Sequence, residues 1–195
     1  MDLQELWGLA GSGLLLSCVV MVLCRLKPAN RKHRLAGFGL LAVSLLPLAG
    51  GISAAGFVRG YFGDLSATTL LLLLLYLSGS SRPTGNGRTY FLTLVCLGGL
   101  VLYPLTLGPC RLDPYEWGYR PWWLLSAIGV SGLAMARRQP AAVIYLTFPL
   151  LAYALNLAAS NNLWDYLLDP LVFGYATVAL IRARQRRRGN TGQYL

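Results

Sequence analysis

The sequence is poor in the residues that most enzyme sites and cofactor sites require. Its 195 residues include one histidine, seven acidic residues and four cysteines. One histidine is too few for a metal site built on histidines or for a Ser-His-Asp triad. The cysteines show no C-x-x-C spacing, which argues against a thiol oxidoreductase, and no Gly-rich phosphate-binding loop is present. We therefore expect no metal and no cofactor, and the sequence leaves open whether the protein is an enzyme.

Polar surface is scarce as well. Hydrophobic residues make up 55% of the chain and charged residues 12%, and the mean hydropathy is +0.53. A soluble domain of this length needs more polar surface, so the sequence predicts an all-α transmembrane helical bundle. A membrane-spanning helix needs about 20 mostly apolar residues. Seven stretches meet or approach that length, and they run near residues 5–24, 35–57, 65–80, 90–108, 122–136, 140–159 and 167–182.

Charge alternates between the ends of these stretches. Most of the 17 basic residues fall after the first, third, fifth and seventh stretches, whereas all 7 acidic residues fall at the opposite ends. Basic loops remain in the cytoplasm, which predicts an amino terminus outside and a carboxyl terminus inside. We divide the chain into a transmembrane bundle, residues 1–184, and a basic cytoplasmic tail, residues 185–195. The tail suits anionic lipid headgroups and, because it lacks interleaved aromatic residues, does not suit nucleic acid.

Composition and the first residues predict where the protein is found. Arginine far outnumbers lysine and there is no N-x-Ser/Thr sequon, a combination that points to a GC-rich bacterial genome. The opening MDLQE is acidic, whereas a cleavable signal peptide starts with a basic segment. The first stretch is therefore expected to remain as a helix. Together these features predict a multi-pass protein of the bacterial inner membrane.

The polar loops at the acidic ends hold the candidate binding residues. The densest of them is CRLDPYEWGYRPWW, residues 110–123. Aromatic rings stack on the apolar faces of sugars while carboxylates accept sugar hydroxyls, and the arginine fork binds phosphate or carboxylate. The candidates for an outer-face binding site are Arg59, Asp64, Arg111, Asp113, Glu116, Trp117, Arg120, Asn161, Asn162, Trp164, Asp165 and Asp169.

Structural roles compete with these binding roles. Asp64, Asp113 and Asp169 each stand where a helix N-cap is expected, and Asp113 followed by Pro114 predicts a short interfacial helix. Tryptophan and tyrosine at headgroup depth form an ordinary aromatic belt in many membrane proteins. Caps need no arginine, so the three outer arginines are expected either to form ion pairs that tie loops together or to bind an anionic group.

Three functions remain open at this point. The leading hypothesis is an accessory or binding subunit for envelope lipid or glycan at the outer face, beside a larger enzyme or transporter. Its partners would be membrane lipids, a membrane protein and a lipid-linked or anionic ligand. The second is a membrane-embedded enzyme that uses outer-face carboxylates on a lipid-linked substrate. The third is a small transporter or scramblase, suggested by Pro47, Pro104 and Pro149 inside the predicted stretches.

Overall fold

The computed structural model describes residues 2–48, 50–79, 86–108 and 112–191. Regular secondary structure in these ranges is helical, which confirms the all-α prediction. The helices are α1 Leu3–Leu23, α2 Arg31–Leu45, α3 Ala54–Phe62, α4 Ala67–Leu77, α5 Asn86–Leu107, α6 Trp122–Arg138, α7 Ile144–Ala154, α8 Leu163–Leu167 and α9 Pro170–Thr191. Two short 3-10 helices, Pro114–Gly118 and Pro140–Val143, precede α6 and α7.

The second predicted stretch, residues 35–57, is not one helix. α2 ends before Pro47, and the chain turns through Gly50 and Gly51, whose φ angles are 100° and 82°. Proline cannot donate a backbone hydrogen bond, and glycine adopts positive φ at no steric cost. Ser53 then caps the start of α3. The prediction of a continuous span is therefore wrong here, and α2 and α3 are separate helices.

Helix length and exposed apolar surface bear on the membrane prediction. Two helices, Leu3–Leu23 and Gly87–Leu107, are long and apolar enough to cross a membrane. α4 and the segment Pro140–Ala154 are apolar but shorter. Large apolar side chains also face outward, among them Leu23 and Val130, which are 75% and 71% exposed. These features favour association with a membrane, while the number of spans and their orientation stay predictions.

Three apolar clusters hold the described helices together. The largest lies among α4 to α9, and in it Phe91 stacks on Tyr145 with ring centroids 4.5 Å apart. Another lies where α4, α7 and α8 meet. The third joins α1, α2 and α4 around Met21 and Leu77, which are both 0% exposed. At Gly37 of α2, an added Cβ would collide with both of these side chains. A glycine therefore allows α2 to approach its neighbours closely.

Acidic and basic side chains gather at opposite ends of the described bundle. The acidic end comprises the first turns of α1, α4 and α9, the last turns of α3 and α5, the first 3-10 helix and α8. At the basic end, Arg34 Nη1 donates to Ser78 O, after the last residue of α4, over 3.0 Å. There too, Arg88 Nη2 donates to Tyr175 Oη over 2.7 Å. Arg34 and Arg88, from two basic segments of the sequence, thus make their hydrogen bonds away from the acidic end.

Candidate functional site

An ion pair closes one side of the acidic end. Arg59 lies in the last turn of α3, and its Nε and Nη2 donate to the two carboxylate oxygens of Asp64 over 2.6 and 3.3 Å. The hydrogen bond to Asp64 raises the pKa of the Arg59 guanidinium. Gly8 of α1 lies against both side chains, because a Cβ there would collide with them. Of the two roles expected for Arg59, the ion pair is the one that the structure contains.

Asp169 joins the first turns of two helices. Its Oδ1 accepts a hydrogen bond from Val172 N over 2.8 Å, which confirms the predicted cap of α9. Its Oδ2 accepts from Ser66 N over 2.9 Å, at the start of α4. The expectation that Asp64 caps α4 is wrong, since Ser66 is the N-cap of that helix. The carboxylate of Asp64 binds Arg59 instead.

Asp165 accepts hydrogen bonds from two hydroxyl groups. Tyr115 Oη, in the first 3-10 helix, donates to Oδ1 and Oδ2 over 3.1 and 2.9 Å, and Ser160 Oγ donates to Oδ2 over 2.5 Å. Burial raises the pKa of Tyr115, and the hydrogen bond to Asp165 raises it further. The protonated phenol is therefore the form of Tyr115 that this environment favours, and it is the donor in both hydrogen bonds. Asp165 lies in α8 while α9 starts at Pro170, so Asp165 and Asp169 do not share a helix face.

Asn162 and Trp164 hold α8 against the first 3-10 helix. Asn162 is 0% exposed, and its Nδ2 donates to Tyr115 O while its Oδ1 accepts from Trp164 N, each over 2.9 Å. Trp164 Nε1 donates to Pro114 O over 2.9 Å. At Gly118, any Cβ would overlap the amide of Asn162. Both predicted candidates therefore have structural tasks that keep their polar atoms inside the protein.

The segment after Asp113 forms the short helix that the sequence predicts. Asp113 Oδ1 accepts from Tyr115 N over 2.9 Å, which makes it the N-cap of the 3-10 helix Pro114–Gly118. The same oxygen accepts from Thr106 Oγ1 over 3.1 Å. Asp113 thereby ties the 3-10 helix to the last turn of α5. Its role in the structure is the capping role that its sequence position suggests.

A cavity of about 420 Å³ opens between these elements. It brings together three of the predicted acidic residues, which come from the α3–α4 connection, from α8 and from the start of α9. Two further polar residues, Tyr103 and Thr106, were missed by sequence reasoning because they lie inside the apolar run of α5. Leucines, Phe62 and Pro170 complete the wall. The polar lining of the cavity is Asp64, Tyr103, Thr106, Tyr115, Asp165 and Asp169.

Most of the remaining candidates lie on a separate surface, which we call the aromatic shelf. Trp122 and Trp123 are 78% and 82% exposed. Asn161 is exposed between α7 and α8, and Arg111 lies outside the described residues. The shelf has the composition of an aromatic belt with one acid and one arginine added. Its residues are Glu116, Trp117, Tyr119, Arg120, Trp122 and Trp123.

The cavity offers a ligand mainly hydrogen-bond acceptors. An ionised carboxylate has about four lone-pair sites, and contacts within the protein occupy only part of them at each acidic residue. Hydroxyl and ammonium groups are the ligand groups that such a wall suits. Among the residues that the structure describes, no group of three His, Cys, Asp or Glu side chains is placed to hold a metal ion.

Comparisons of the chain with protein-family models, with curated proteins and with solved structures found no match. The cavity and the aromatic shelf are accordingly the basis on which a function is assigned.

Proposed function

We propose that the chain is a multi-pass protein of the bacterial inner membrane, with its acidic end outside and its carboxyl terminus in the cytoplasm. It binds envelope lipid or glycan at the outer face, as a subunit beside a larger enzyme or transporter. The cavity at the acidic end is the observation that carries this proposal. In this orientation the cavity lies at the depth of the outer lipid headgroups, beside the aromatic shelf.

The surroundings of the cavity support an amphiphilic ligand. An apolar groove of about 450 Å³ runs between α1, α4 and α9. Leu171 lines both the groove and the cavity. A cavity with a carboxylate-bearing wall that shares Leu171 with an apolar groove suits a headgroup with an attached acyl chain better than it suits a free sugar or ion. The exposed rings of the shelf are suited to headgroup depth.

Native mass spectrometry of the protein, extracted gently from its own membrane, tests the proposal. We expect a lipid, a glycolipid or a second protein to accompany the chain in fixed ratio. Lipid retention should fall in Asp165→Asn, which alters the cavity. Glu116→Gln makes the same chemical change on the shelf and should leave retention intact. A wild-type protein that carries neither lipid nor partner would overturn the proposal.

A second function, general acid–base catalysis on a lipid-linked substrate, is favoured by the convergence of Asp64, Asp165 and Asp169 on one cavity. Such catalysis needs two carboxyl groups with different proton affinities near one substrate. Asp169 is held by two backbone N–H groups and Asp64 by an arginine. Asp165 instead accepts from the side-chain hydroxyls of Tyr115 and Ser160, which can turn toward a ligand more readily than backbone groups can, so it is the better candidate. Turnover that disappears in Asp165→Asn while ligand binding persists would distinguish an enzyme from a binding subunit.

A further inference from the structure

α4 connects two polar layers that lie close together. At its start, Ser66 N is bound by Asp169 at the acidic end. At its end, Ser78 O is bound by Arg34 at the basic end. From Ser66 to Ser78 a helix rises about 18 Å, at about 1.5 Å per residue. The hydrocarbon core of a bilayer is about 30 Å thick, so α4 is too short to separate its two polar layers by that distance.

α9 gives a similar spacing independently. It is capped by Asp169, and Arg182 and Arg184 on the same helix are exposed. From Asp169 to Arg182 the helix rises about 20 Å. On the same helix, the hydroxyl of Tyr175 accepts a hydrogen bond from the Arg88 guanidinium. Two neighbouring helices thus agree on an apolar layer much thinner than a typical bilayer core.

Neither helix tilt nor side-chain reach removes the difference between the apolar layer of α4 and α9, about 20 Å, and the bilayer core, about 30 Å. A tilted helix covers less of the membrane normal, so tilt makes a short helix shorter still. Arginine side chains extend toward the interface, but this reach covers only part of a deficit of about 10 Å. α1 and α5 are each long enough to cross a membrane. The deficit is therefore confined to α4 and α9.

We infer that the α4–α9 side of the protein fits a bilayer whose hydrocarbon core is about 20 Å thick, and that it thins ordinary membrane around it. The partner of this surface is an annulus of short acyl chains. The groove between α1, α4 and α9, about 450 Å³ in volume, opens on the same side and can take such chains. This inference rests on the proposed placement in a membrane and is independent of the ligand at the outer face.

Reconstitution into bilayers of graded thickness tests the inference. The full chain is placed in phosphatidylcholine vesicles whose monounsaturated acyl chains range from fourteen to twenty-two carbons, and thermal unfolding is followed by tryptophan fluorescence. The unfolding midpoint should be highest with fourteen-carbon chains and should be lower by about 5 °C or more with the longest chains. A maximum at eighteen carbons or above, in protein that resists carbonate extraction, would overturn the inference and leave the outer-face function standing. Protein that carbonate removes from the vesicles would overturn both.

A pair of double variants separates helix length from charge. Arg182→Leu with Arg184→Leu lengthens the apolar part of α9 by about 6 Å, so the preferred lipid should become longer. Lys27→Leu with Lys32→Leu removes the same charge from exposed positions at the same end, without lengthening α4 or α9. This control should keep the wild-type preference. An equal shift in both double variants would show that charge sets the preference, and the inference would fail.

Discussion

The cavity and the aromatic shelf lie at the same end of the molecule, yet they are built differently. The shelf comes from one continuous segment, residues 116–123, and most of its side chains are exposed. The cavity draws its polar lining from five separate parts of the chain, and each of its carboxylates is held by a hydrogen bond or an ion pair. A dense run of charged and aromatic residues therefore need not be the most organised part of a site. Contacts between distant parts of the chain determine which polar side chains are held in place.

The largest effect should come from breaking the contact between α8 and the 3-10 helix that shapes the cavity. Asn162→Ala removes the hydrogen bonds that the side-chain amide makes with Tyr115 O and Trp164 N. These buried backbone groups are then left unpaired. We expect it to lower the free energy of unfolding by about 3 kcal/mol. Asn161→Ala, at the exposed neighbour, should change it by less than about 0.5 kcal/mol. Thermal unfolding in detergent measures both, and equal losses would contradict the anchoring role of Asn162.

The second-largest loss of unfolding free energy is expected when Asp169, which joins the first turns of α4 and α9, is replaced. Asp169→Ala removes the cap of α9 and the acceptor of Ser66 N, and should cost about 2 kcal/mol of unfolding free energy. Asp113→Ala removes a cap from a 3-10 helix on the exposed side, so its cost should be about 1 kcal/mol or less. The two variants can be compared by the same unfolding experiment. A larger loss in the Asp113 variant would reverse the proposed order.

The parts of the fold that could be predicted from the sequence depend on local signals. Runs of apolar residues gave the position of α1, α4, α5 and α6 within a few residues, and proline with aspartate before it gave the starts of α9 and of the first 3-10 helix. The prediction of one continuous helix over residues 35–57 is wrong because it relies on the length of the apolar run. Pro47 and two glycines interrupt the helix there. The predicted tail boundary after residue 184 falls inside α9, which continues to Thr191.

The cavity itself could not be predicted, for a physical reason. The hydrogen bond from Ser66 to Asp169 joins residues 103 positions apart, and no local pattern reports such a contact. Tyr103 and Thr106 carry hydroxyls that matter only because α5 places them opposite α9. Sequence reasoning named the right acidic residues as candidates, but it could not show that three of them share a wall.

A smaller difference is expected between the coupling energy of the ion pair at the cavity and that of the charges on the shelf. A double-mutant cycle with Arg59→Gln and Asp64→Asn should give a coupling energy of about 1 kcal/mol, because the bidentate contact is partly buried. The matched cycle with Arg120→Gln and Glu116→Gln should give about zero, since both side chains are exposed. Coupling on the shelf as large as in the cavity would remove the distinction between the two regions.

The smallest effect concerns Tyr115 at alkaline pH. Burial and the bond to Asp165 raise its pKa, so the folded protein favours the neutral phenol. Its contribution to stability is complete below the ordinary tyrosine pKa of about 10 and declines as the pH rises beyond that value, because the unfolded chain loses the proton first. Between about pH 8 and pH 11 the unfolding midpoint of the wild type should therefore fall more than that of Tyr115→Phe. Tyr61→Phe changes a ring that is 81% exposed and does not line the cavity, and it should keep the wild-type pH dependence. If Tyr61→Phe flattened the curve as Tyr115→Phe is expected to do, the protonation that stabilises the protein would not belong to the cavity.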